Sequence, residues 1–185
     1  MKPGWDASGY TYARVPRSRR NIPRVSKLIG GELPSDVVER LSGTRLRDVG
    51  DRVVVVCSID GRGFPHAAIL SDFEVVTLDS RTIRLAVYGG SGTARNARRD
   101  GHLTLVLIEP EYVYYIKGTA SELSASMRCT PHNAKLSLSV VEVLQDSPDA
   151  GFEPNARITT GIRFVNPDRE REMVRARQLL AELRE

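Results

Sequence analysis

Apolar residues along this chain recur mostly at every second position, in short runs separated by glycine, proline and charged residues, which is the pattern of half-buried β-strands. Val53 to Ile59 is a run rich in β-branched residues, stopped by Asp60-Gly61-Arg62-Gly63, whose glycines suit a turn. Residues 66–70 and 74–78 read as a strand pair or one long bent strand, with Ser71-Asp72 as the irregularity. Thr82 to Tyr88 alternates Ile83, Leu85 and Val87 against Thr82, Arg84 and Ala86. Strands are likewise expected over 102–108, 112–122, 135–144, with Leu136, Leu138, Val140 and Glu142 opposite Ser137, Ser139, Val141 and Val143, and finally over 158–165.

Helical signals are fewer. Pro34-Ser35-Asp36 opens a short helix with Val37, Val38 and Leu41 on one face, closed by Ser42-Gly43. Ser91 is a good N-cap for a helix through Ala94 and Arg99, and Gly101 fits a left-handed stop. Residues 168–185 form an amphipathic helix with Met173, Ala176, Leu180 and Leu183 on its apolar face. Six to seven strands joined by short turns, with one short helix inserted and others at the flanks, favour a mainly β, mostly antiparallel barrel over a parallel doubly wound sheet.

Charge changes the picture at one end. Residues 1–31 hold seven basic side chains against Asp6 alone, a net of +6, so a chain with formal charge +4 leaves −2 for residues 32–185. The basicity belongs to an arm at residues 1–31, disordered or packed on a neighbouring subunit, and not to the domain at 32–185, which argues against nucleic acid as a partner. No run approaches the roughly 18 apolar residues of a membrane span, and Pro3-Gly4-Trp5-Asp6 is no signal-peptide core, so a cytoplasmic protein is expected. Cys57 and Cys129 stand in no metal-ligand or redox spacing and read as small buried hydrophobes.

Candidate chemistry is concentrated in one place. His66, His102 and His132 lie far apart in sequence and form no metal-binding pattern, and no nucleophile and base stand in a recognisable arrangement, so no catalytic residue is assigned. In contrast, the strand Thr82 to Tyr88 runs into Gly89-Gly90-Ser91-Gly92-Thr93 and then into a helix. Such a sequence is either a plain capped turn or an anion site, in which bared amides and the helix dipole hold a phosphate. Ser91 and Thr93 would add hydroxyl donors, and Arg95 or Arg98 charge.

Asp60-Gly61, then Pro65-His66, then the strand to Tyr88, then Ser91-Gly92-Thr93-Ala94-Arg95-Asn96-Ala97-Arg98-Arg99-Asp100-Gly101, then Lys117-Gly118-Thr119-Ala120, occur in the order and spacing of a known family. Over about residues 35–145 the chain resembles the pyridoxamine 5'-phosphate oxidase-like FMN-binding split barrels. The resemblance implies a split β-barrel, a homodimer and FMN held in clefts between subunits. It places the flavin edge along Ala68, Ile69, Leu70 and Ser71, and the strand end and phosphate turn at Val87, Tyr88, Ser91, Gly92 and Thr93, with Arg95 and Asn96 on the helix behind. Where the oxidases themselves carry arginine on the flavin strand this chain has Ala68, and where they carry Arg-Lys after the serine it has Gly92-Thr93. Their carboxy-terminal Arg-x-His is also missing, the region reading Thr160-Gly161-Ile162-Arg163-Phe164, so pyridoxamine phosphate is not the expected substrate.

The implied function is that of a cytoplasmic, homodimeric FMN-dependent oxidoreductase acting on a small substrate or electron donor through the flavin. The alternative on the same barrel is a non-catalytic module that binds or senses a flavin, deazaflavin or haem-type ligand, and a third reading is a small barrel holding single-stranded nucleic acid through its basic arm. Val113, Tyr115 and Leu103 are the residues expected in the dimer interface.

Overall fold

The computed structural model describes residues 26–46, 51–110, 112–148, 151 and 154–185. The basic arm expected at residues 1–31 therefore lies outside the described residues up to position 25, and its last part is not an arm. Ser26–Gly30 forms a strand, β1, paired antiparallel with residues 143–146. With only Leu28 and Ile29 apolar and both exposed, it is held by backbone pairing rather than burial, which is why hydrophobic patterning misses it.

The remaining strands are β2 (Val53–Ile59), β3 (Pro65–Ser71), β4 (Val75–Thr77), β5 (Thr82–Tyr88), β6 (His102–Glu109), β7 (Tyr112–Ser124) and β8 (Asn133–Asp146). All pair antiparallel in one curled sheet ordered β3-β2-β6-β7-β8-β5-β4, with β1 on β8 beyond the stretch that β5 occupies. A single 3-10 turn at Asp72–Glu74 joins β3 to β4 and supplies the irregularity expected at 71–72. The sheet is thus linked through that turn but unpaired between its edge strands β3 and β4, which is the split.

Inward positions of this sheet, among them Val54, Val56, Ile83, Leu85, Leu103, Leu105, Ile116, Leu136 and Leu138, form one core. Helix α1 (Ser35–Arg40) adds Val37 and the neighbouring Leu33 and Leu41 to it, and α2 (Gly92–Asp100) adds Ala94 and Ala97. Leu103 is therefore a core residue and not an interface residue, since β6 turns Leu103, Leu105 and Leu107 inward. A second cluster lies outside the barrel, where α3 (Arg169–Arg184) lays Met173, Ala176, Leu179, Leu180 and Leu183 on Phe73, Val76 and Ala86. Cys57 and Cys129 are only partly buried, on the outer sheet surface and beside α3, contrary to the core role expected of them.

Two further differences have physical causes. Residues 158–165 alternate like a strand but make only the bridge Arg52↔Arg163, because their apolar side chains find no face to bury against, Ile162, Phe164 and Val165 all staying exposed. In β8 the alternation shifts at Val141: Lys117 faces Glu142 but Gly118 faces Val140, so Val141 is an extra residue, a β-bulge. Before it Leu136, Leu138 and Val140 point inward; after it Val143 does, opposite to the expectation, and Glu142 turns out to meet Lys117 Nζ at 2.6 Å.

Candidate functional site

The strand-to-helix turn forms as its residues dictate. Ser91 caps α2 by accepting the Ala94 N–H at 3.1 Å, and Gly101 ends the helix at φ 73°. The Ser91 N–H donates to the Tyr88 carbonyl and the Arg95 N–H to the Ser91 carbonyl, whereas the N–H groups of Gly92 and Thr93 find no acceptor among the described residues. Thr93 is buried at 2% exposure, yet its Oγ1 has no hydrogen-bond partner. Side bonds on a helix tilt toward its N-terminus, so this hydroxyl leans to the same end as the two free amides. A buried unpaired hydroxyl costs about 1–3 kcal/mol. An anion seated at the turn would recover that cost and face the positive end of the helix dipole.

The arginines of α2 shape the turn. Arg95 donates to the Gly90 carbonyl at 2.7 Å and Arg98 to the Gly89 carbonyl at 2.9 Å, with Arg98 also paired to Glu122. Both neutralise carbonyl oxygens that would otherwise repel an anion. Asn96 is committed elsewhere: its amide donates to the buried Ser58 hydroxyl at 2.9 Å and its carbonyl accepts from Arg99, which also donates to the Ile59 carbonyl. Asn96 therefore straps α2 to the end of β2.

Facing the turn is His66, which the sequence offered within Pro65-His66 but not as a residue of the site. A β-carbon on Gly92 would lie 2.7 Å from His66 Nε2 and 2.8 Å from its Cε1, so the imidazole rests against the first residue of α2 and a larger residue there would push the ring aside. The signal available in the sequence was parity: on β3, His66, Ala68 and Leu70 share the more buried side while Ala67 and Ile69 are exposed. Ala68 and Leu70 follow His66 at about 7 and 13 Å along the strand. The side of β3 away from β2 has no strand partner, so its outward backbone groups border the split.

The other predicted residues are placed as follows. Val87 is buried in the core, and Tyr88 is exposed with its ring 6.5 Å from that of His132. Ile69 points outward at 61% exposure. Ser71 is engaged in a capping box, its N–H donating to Glu74 Oε2 at 2.7 Å, so that amide is not free to meet a ligand. Burial raises the Glu74 carboxyl above its ordinary range, against the lowering effect of that N–H. Beyond Ser71 a cavity of about 400 Å³ opens beneath α3, lined also by Glu74, Asn133, Arg171 and Arg175. Asn133 is the cross-strand partner of Tyr88, so this cavity reaches the strand end that leads into the turn.

On the outer face, one row of apolar residues crosses six strands in register: Ile69, Val55, Val106, Tyr115, Leu144 and Leu28. None belongs to the buried core, and Ile69 and Leu28 are more than half exposed. Among the described residues no helix is long and apolar enough to cross a membrane.

No family model matches the chain. Among curated proteins it is similar to Uncharacterized protein YclD of Bacillus subtilis (strain 168), with 25% identity over 146 residues, 79% of this chain and 92% of that protein. Solved structures similar to it include HupZ of Group A Streptococcus, at 12% identity and TM-score 0.49, covering 63% of this chain and 100% of that one. An FMN-binding protein from Syntrophomonas wolfei is similar at 14% identity and TM-score 0.44, over 62% of this chain and 88% of the other. A Clostridium acetobutylicum protein related to general stress protein 26, of the pyridoxinephosphate oxidase family, is similar at 11% identity and TM-score 0.39, over 48% and 75%.

Proposed function

We propose that this chain is an FMN-binding oxidoreductase of the pyridoxamine 5'-phosphate oxidase-like group, with the flavin phosphate at the turn Ser91-Gly92-Thr93. The observation that carries the reading is the pair of free amides at Gly92 and Thr93 beside the buried, partnerless Thr93 hydroxyl, at the head of a helix and the mouth of the split. From that anchor the residues that would hold the ring system are Ala68 and Leu70 on the open edge of β3, with Ile69 and the Ser71 carbonyl at its rim, and Val87 and Tyr88 at the end of β5. When bound, the flavin supplies the hydride or electron chemistry, and the protein's part is to hold and orient it. Its reaction partner is a small molecule or electron donor.

Association into a homodimer belongs to the same proposal. The apolar row from Ile69 to Leu28 is a face that a second copy would cover, and it adjoins the split through Ile69. A cytoplasmic location completes the reading.

Titration with FMN tests it. At about a hundredfold excess over Kd, a ligand that binds only the folded chain stabilises it by about 2.7 kcal/mol. The expected result is a rise in melting temperature together with a perturbed flavin absorption spectrum. A chain that saturating FMN neither stabilises nor colours would overturn the assignment.

A second reading has its own support. The strand position where the oxidases carry arginine is Ala68, and Arg95 and Arg98 are drawn onto carbonyl groups. A module that binds or senses a flavin, deazaflavin or haem-type ligand without turnover fits that weaker anion grip. Bound FMN that no nicotinamide cofactor reduces would favour it.

A further inference from the structure

We propose that His66 is the side chain that reads the phosphate at this turn, taking the place of the arginine and lysine missing from Ala68 and from Gly92-Thr93, and so makes the site selective for a phosphorylated flavin. The inference rests on the reading of Ser91-Gly92-Thr93 as a phosphate turn.

His66 stands on β3 and the turn on the β5–α2 junction, yet the imidazole is the nearest group to the space above Gly92, with Nε2, Cε1 and Cδ2 all within 3.4 Å of where a β-carbon would be. Its ring makes no hydrogen bond among the described residues, so both nitrogens are available, and it is only partly buried. The other cations at this end are engaged: Arg95 with Gly90, Arg98 with Gly89 and Glu122, Arg99 with Ile59, Asn96 and Asp100. The Thr93 hydroxyl is the independent sign that a ligand belongs here, since it is buried without a partner at the end of the helix that His66 touches. Gly92 has a double use in this arrangement. It bares an amide and it leaves the ring room to sit within reach of that amide's ligand.

A flavin without its phosphate has nothing for His66 to bind, which separates this inference from general flavin binding. The experiment compares FMN with riboflavin on the full chain, wild type and His66→Gln, by fluorescence titration. Wild type should prefer FMN, and His66→Gln should lower the FMN-to-riboflavin affinity ratio by about tenfold or more, the worth of a hydrogen bond to a charged group, with riboflavin affinity unchanged. His66→Arg should restore the ratio. Gly92→Ala, which drives the ring off by occupying its space, should lower it as His66→Gln does and keeps the test open if one variant fails to fold. A ratio unchanged in His66→Gln, in a wild type that prefers FMN, overturns the role of His66 and leaves the phosphate turn standing. A wild type that binds both flavins equally, or neither, overturns the turn and this inference together.

Discussion

A β-carbon at Gly118 would lie 2.4 Å from the Ser139 carbonyl oxygen and 2.9 Å from the Leu138 side chain, so β7 and β8 approach here more closely than any side chain allows. Gly118→Ala should destabilise the fold by about 1–3 kcal/mol, the usual cost of overpacking, read as a lower urea midpoint with an unchanged slope. The same scale separates what could be read in the sequence from what could not. Ser91 and Gly101 were legible because a cap and a left-handed stop are local: the residue and its partner lie within a few positions. His66 was not, because its meaning depends on an approach to Gly92 across 26 positions that only the closed sheet creates. Asn96 and Arg95 lie on α2, where their bonds to Ser58 and to the Gly90 carbonyl give them structural tasks that no spacing rule reveals.

α2 works as one element, capped by Ser91, strapped by Asn96 and Arg99, and stopped by Gly101. Ser91→Ala should destabilise the protein by about 1 kcal/mol through loss of the cap, and on the proposed reading should weaken FMN binding more than riboflavin binding. Thermal melts with and without each flavin separate the two effects; equal weakening of both flavins would detach Ser91 from the phosphate. Elements with strong periodicity, such as β5, β6 and α3, stand where their patterns put them, because each buries one face. Elements defined by pairing were not legible: β1 adds to an open edge with little burial, and 158–165 carries the alternation of a strand but pairs only through Arg163. Helix α3 answers its pattern fully, since all four residues expected on its apolar face are buried.

At the scale of the molecule, the end of the barrel away from the turn is closed by charge. Arg40 of α1 pairs with Asp72 and with Glu109, and Arg52 pairs with Glu109, joining α1, the 3-10 turn, the start of β2 and the end of β6. Burial lifts the Asp72 carboxyl to about 6, with Arg40 opposing the rise. The folded chain therefore holds that proton to higher pH than the unfolded chain, and this group's contribution to stability falls as pH rises from about 4 through about 6. Compared with Asp72→Asn, which cannot titrate, the wild type should lose melting temperature over that interval and run parallel to the variant above about pH 7. The opposite slope would mean that Arg40 outweighs burial. The barrel class was legible from short alternating strands alone, while the order of strands in the sheet was not, since β2 pairs with β6 and β5 with β8 across long intervening stretches. The bulge in β8 leads to a constraint of another kind. Val141 is exposed at 63%, so many side chains would serve there, and because it is the extra residue its deletion would close the bulge into unbroken alternation, with Glu142 still outward and Val143 still inward. What the extra residue fixes is shape: without it β8 would run straight where a bulge now bends it.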